Sequence, residues 1–154
     1  MIIDYTYFKG LLSIGLSPDT GAPSFTLEAE RERISQFIDI YEEEYLRKLL
    51  GGKYDEYISS IESEEWLPVT EYLRKDYSPI ACYVFFKYVS VGNIQVTRVG
   101  SVTSAEDSVV SPMQLQIRAW NDMVVMNRHL AYVLRDLNIC VDDSLLCMTN
   151  DMGI

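Results

Sequence analysis

The chain has 154 residues, enough for one domain with a real core. A hydrophobic fraction of 48% and a charged fraction of 23% belong to a folded globular chain and exclude a disordered polymer. A formal charge of −10 repels phosphate backbones and anionic bilayers, which excludes DNA wrapping as a mode of action.

No stretch reaches the roughly 18 uninterrupted apolar residues of a membrane span. The opening "MIIDYTYFKGLLSIG" carries Asp4 early and lacks the basic start and apolar run of a secretory leader. Cys82, Cys140 and Cys147 are odd in number and irregular in spacing, which reads as free thiols in a reducing cytosol. Eleven tyrosines supply apolar bodies with polar tips, suited to half-buried contact surfaces as well as to a core.

The pattern predicts a mainly α fold: one domain over 1–154, a helical bundle with a small central β-hairpin or extended arm. Residues 1–26 form an N-terminal loop segment, with Pro18, Gly21 and Pro23 as punctuation. A helical region follows over 27–91. Its first helix begins near Leu27 with Thr26 as N-cap and acidic residues in the first turns. Ile34, Phe37, Ile38, Tyr41, Tyr45 and Leu49 give it one apolar face, and Gly51-Gly52 end it. "KYDEYISSIES" is a short helix, and "EEWLPVTEYLRK" a further helical piece broken near Pro68. In "SPIACYVFFKYVSVG", Ser78 suits an N-cap and Pro79 a first helical position. The run from Ile80 to Val91 carries only Lys87 as a charge. A buried strand would fit it, but the Ser-Pro start and the length favour a helix buried nearly all round, closed by Gly92.

Residues 92–110 then alternate: Ile94, Val96 and Val99 against Gln95, Thr97 and Arg98, with "SAEDS" as a turn and Val109-Val110 placed to pair back. This is the β-arm, and it fits an exposed hairpin or loop as well as a contact element. A long helix follows over 111–137, opened by a second Ser-Pro pair at Ser111-Pro112. Its apolar stripe is Met113, Ile117, Trp120, Val124, Ala131 and Leu134, interrupted by Asn127. The tail, 138–154, is short and mixed, and is expected to be partly disordered or held by a neighbour.

Chemistry-bearing patterns are sparse. His129 stands mid-helix with no partner set, as a helix-surface imidazole would. The carboxylates of Glu42, Glu43 and Glu44 leave a helix in different directions and cannot converge on one metal. No metal-ligand spacing, glycine-rich phosphate loop or Ser/His/Asp setting occurs, so neither an enzyme nor a cofactor is expected. The cations Arg31, Arg33, Arg47, Lys48, Arg74, Lys75, Arg118, Arg128 and Arg135 are scattered and make no nucleic-acid stripe. Trp120 reads as core. Trp66, opening a segment beside Pro68, stays open as a binding anchor.

The order of parts carries a resemblance. "YLRKLLGGKYDEY" ends a helix, "SPIACYVFFKYV" follows, then a glycine-bearing arm, then "VSPMQLQIRAWNDMVVMNRHL". Over residues 27–135, most specifically at Ser111, Pro112, Ala119, Trp120, Asn121, Met123 and Val124, this resembles head–tail connector and head-completion adaptor proteins of tailed phages and prophages of gut bacteria. The resemblance implies a non-enzymatic, mostly helical virion subunit of the neck region. Such a subunit is present in the host cytoplasm during assembly and forms a homo-oligomer ring, commonly of about twelve copies, between portal and tail proteins. DNA would pass such a ring without specific binding, and no membrane is involved. A strand-capable arm could reach a neighbour by β-augmentation. The expected contact residues are therefore Ile94, Val96, Arg98, Val99, Val102, Val109 and Val110, with Trp66 and the tail from Asn138. A rival from another class is an acidic binding or inhibitor module, DNA-mimic or immunity-like, for a basic partner. It needs carboxylates clustered on one outer face.

Overall fold

The computed structural model describes residues 1–14, 24–99 and 112–149, without the side chains of 24–27, 92–99 and 112. Five α-helices lie in these ranges: α1 (Ser24–Leu50), α2 (Tyr54–Ser59), α3 (Leu67–Leu73), α4 (Pro79–Val99) and α5 (Pro112–Asp136). The mainly α architecture expected from the periodicity is the one observed.

Local chemistry accounts for most boundaries. Gly51 takes a left-handed φ of 53°, which L side chains adopt at a cost, and so stops α1. Pro68 sits in the first turn of α3, where a missing N–H is harmless, so it opens that helix and does not break one. Ser78 caps α4: its Oγ accepts from Ile80 N (3.2 Å) and donates to Leu73 O (2.6 Å), tying the end of α3 to the start of α4. The α1 helix starts at Ser24, ahead of the expected Thr26 cap.

Contacts along the helices fix the topology. Tyr45 meets Tyr83, while Phe37, earlier in α1, meets Tyr88, later in α4, so the two helices run antiparallel. Phe86 packs on Trp120 and Tyr77 bonds Asp122, so α5 runs antiparallel to α4 on its other side. With α1 and α5 both packed on it, α4 is enclosed, and Ile80 through Phe85 are all buried. The all-round burial expected over Ile80 to Val91 is thus met in the first half, whereas Phe86 to Val91 are half-buried. One cluster of buried side chains runs through the N-terminal segment, every helix and the tail.

Three expectations are corrected. First, no β-strand is present among the described residues. Gly92 does not close α4, and Ile94, Val96, Arg98 and Val99 lie on its last turns. Extending a formed helix fixes one residue per added bond, whereas a strand needs a partner. A mid-helix glycine costs only about 1 kcal/mol. Val102, Val109 and Val110 lie outside the described residues. Second, the buried row of α5 is Ala119, Met123, Asn127, Leu130 and Leu134. Val124 is also buried, Ile117, Trp120 and Ala131 are half-buried, and Met113 is exposed. Third, Trp66 is core: its ring is 1% exposed and stands edge-on to Tyr57 at 5.2 Å.

The N-terminal segment is held from α1. Glu42 is buried, and its carboxylate accepts from Ile2 N (2.8 and 2.9 Å) and Ile3 N (3.1 Å). These charge-assisted bonds seat Ile2, Ile3, Phe8 and Leu12 in the core. Replacing Glu42 with Ala leaves two backbone N–H groups unpaired and is expected to cost about 2–3 kcal/mol. Urea denaturation followed by circular dichroism measures this, and an unchanged midpoint would refute the role given to Glu42.

Candidate functional site

The densest group of titratable side chains lies where α1 faces α4. Glu44 Oε1 accepts from Tyr83 Oη (2.7 Å), Lys48 Nζ (3.1 Å) and Lys87 Nζ (3.2 Å). Burial pushes this carboxyl upward, but the three donors outweigh it and hold Glu44 at about 2. Tyr83 is driven well above the usual phenol range by burial and by the bond it gives Glu44. Both ammonium groups face one carboxylate, and Lys48 also donates to Tyr83 Oη (3.2 Å). The cluster ties α1 to α4. The neighbouring acids act elsewhere: Glu42 holds the N-terminal segment, and Glu43 pairs with Arg47 at 2.8 Å. The divergence expected of "EEE" is thus realised.

Other reactive groups lie apart from this cluster. Cys82 is buried, which raises its thiol to about 12, far from a thiolate at neutral pH. Cys140 and Cys147 are exposed. His129 is exposed on α5. Among the described residues, no group of three or more His, Cys, Asp or Glu side chains could hold a metal ion. Likewise, among them no helix is long and apolar enough to cross a membrane.

The most specialised polar residue is Asn127, which sequence reading treats as an interruption of an apolar stripe. It is fully buried. Its Oδ1 accepts from Tyr45 Oη (2.5 Å) and its Nδ2 donates to Leu145 O (3.0 Å), so one carboxamide joins α1, α5 and the tail. Leu145 O can only accept, which fixes the orientation of the amide. The tail is strapped along α5 by a row of further bonds. Trp120 Nε1 donates to Cys147 O (2.8 Å), and Arg128 donates twice to Leu146 O (3.0 and 3.3 Å). Asn121 donates to Thr149 O (3.0 Å) and accepts from Thr149 N (2.9 Å), as a strand neighbour would. Leu145 is buried beneath the strap. The tail is therefore held by its own chain as far as Thr149; residues 150–154 lie outside the described residues. The available signal was the set Trp120, Asn121, Asn127 and Arg128, polar groups at helical spacing beside an apolar stripe, each in need of a partner.

Two open grooves flank the strap, and Cys140 lines both. One, of about 500 Å³, is bordered by Glu44, Arg47, Lys48 and Asp142. The other, of about 580 Å³, is bordered by Arg128, Tyr132, Arg135 and Asp143. On the outer side of α5, Tyr132 is 70% exposed, and Val125 and Val133 are also open to solvent. Of the expected contact residues, Trp66 is interior and Ile94, Val96, Arg98 and Val99 belong to α4, while Val102, Val109 and Val110 lie outside the described residues.

Fold and surface together define a helical bundle whose polar groups secure its own segments and whose widest exposed aromatic and aliphatic face is on α5. No protein-family model, curated protein or solved structure matches the chain.

Two outcomes follow. Asn127→Ala leaves Tyr45 Oη and Leu145 O unpaired and is expected to cost about 2–4 kcal/mol. It should also make residues 143–149 cleavable by a protease under native conditions, read by mass spectrometry. For Glu44, whose folded value lies below its ordinary 4.5, stabilisation is present above that ordinary value and is lost as pH falls from about 4.5 to about 2. Glu44→Gln should flatten this part of the acid-denaturation profile; an unchanged slope there would contradict the assignment.

Proposed function

We propose that the protein is a non-enzymatic structural adaptor of a tailed-phage particle, a ring-forming head–tail connector subunit bridging portal and tail. The observation that carries this reading is the use made of the residues behind the resemblance. Pro112 opens α5, Ala119, Met123 and Val124 are buried in the core, and Trp120 and Asn121 grip the tail. The motif thus marks a mechanical joint and not a reaction centre. The commitment of Glu44, Tyr83, Lys48 and Lys87 to one another supports the same reading, since it leaves no poised acid–base pair there. A net charge of −10 suits a lumen through which DNA passes without sticking. In this role the protein occupies the neck of the virion and, during assembly, the host cytoplasm.

A second reading, the acidic inhibitor module for a basic partner, is favoured by one surface. Asp55, Glu56, Glu62, Glu64, Glu65 and Glu71 are all exposed on the short stretch carrying α2 and α3. Lys53 and Arg74 offset two of them.

Electron microscopy of the purified protein mixed with portal rings from the same genome tests the first reading. Added ring density on the portal is the expected result; no association at any concentration overturns it. Salt-sensitive binding to a basic non-structural protein, lost on charge reversal of Glu62, Glu64 and Glu65, would favour the second.

A further inference from the structure

The outward face of α5 has a regular composition. Arg118, Asp122, Val125, His129, Tyr132 and Asp136 follow one another at steps of four, three, four, three and four, the spacing of a coiled-coil seam. This seam points away from the buried row of Ala119, Met123, Asn127, Leu130 and Leu134. Arg118 and Asp122 keep 57% and 39% of their side-chain surface, Val125 and Tyr132 keep 43% and 70%, and His129 and Asp136 are exposed. An open tyrosine and valine are ordinary on a surface by themselves; what sets this face apart is the order of the charges around them.

The order of charges names the cover. Reversed, the series sets Asp136 against Arg118, Tyr132 against Asp122 and His129 against Val125. The face is therefore complementary to itself in one antiparallel register, with a two-fold axis passing beside Asn127. Across that axis, Arg118 meets the carboxylate of Asp136 at both ends, and Tyr132 lies beside Asp122, whose Oδ2 already accepts from Tyr77 Oη (2.8 Å) and stands 3.8 Å from Arg118 of its own chain. Val125 and the His129 ring form the apolar centre. A parallel pairing would oppose Arg118 to Arg118, Asp122 to Asp122 and Asp136 to Asp136. Arg128, on the flank nearest the axis, would oppose its own copy, but both its bonds turn it aside to Leu146 O.

We infer that the outer face of α5 is a homodimer surface, on which a second copy of this chain docks antiparallel, in the register that pairs Arg118 with Asp136. The contact spans about 27 Å of helix, a small interface that gives a reversible dimer and not an obligate one. A two-fold contact closes on itself, so it is not the contact that propagates a ring. The inference stands apart from the adaptor reading, and portal binding tests neither it nor its failure.

Sedimentation of the purified full chain, from micromolar to submillimolar concentration, reads the equilibrium. A monomer–dimer equilibrium is expected. Arg118→Asp and Asp136→Arg, each putting like charges at both ends, should each weaken it by roughly tenfold, and the double variant should restore it. Circular dichroism confirms that each variant is folded. In a Cys140→Ser, Cys147→Ser background, the Val125→Cys, His129→Cys variant should oxidise to a covalent dimer. A monomer throughout the range overturns the proposal. So does a dimer indifferent to both reversals, or one in which the double variant stays as weak as the singles.

Discussion

Asn127 is a small polar group at the most demanding place in the molecule, the point where α1, α5 and the returning tail converge. Burying a carboxamide among Met123, Leu130 and Leu134 costs several kcal/mol unless its donors and acceptor are matched. Tyr45 on one side and the Leu145 carbonyl on the other meet that demand. The same requirement makes the arrangement specific. Were α5 rotated by one residue, the amide and the buried Tyr45 hydroxyl would both lose their partners. Apolar packing alone would tolerate several rotations of an amphipathic helix; this hydrogen-bonded joint selects one.

Around that joint the chain secures its own segments from two helices. The α1 helix carries Glu42, which grips the N-terminal backbone, and Tyr45, which reaches the tail through Asn127. The α5 helix carries the tail strap on one side and a solvent-facing seam on the other. Internal stability and external contact are thus separated by helix face. Trp120, Asn121, Asn127 and Arg128 bond the tail backbone, while on the seam Asp122 also holds Tyr77.

Much of this architecture was legible in the sequence. The two Ser-Pro helix starts, the Gly51 stop and the enclosed run from Ile80 follow from local chemistry and from the absence of charge, which act wherever the chain goes. The strand reading of Ile94 to Val99 failed because β-branched alternation is a weak preference, and extending α4 satisfied the backbone without any partner. The α5 stripe was only partly legible, with Val124 and Leu134 correctly inside. Counting only apolar residues set Asn127 down as a defect, when its buried amide is what orients the helix. Trp66 illustrates the converse: an indole beside a proline invites a binding role, yet Tyr57 and the core enclose it. The polar residues beside the α5 stripe signalled that partners were needed, but not that the tail supplies them, because those partners lie 18 to 28 positions away.

The joint at Asn127 also has a temporal side. A ribosome delivers Tyr45 first, α5 much later and Leu145 later still, and a growing chain can collapse on what has already emerged. Until residue 145 is free, however, the amide hydrogen that needs its carbonyl has no protein acceptor. Leu145 is therefore the last of the three partners to reach the joint, and its carbonyl closes it.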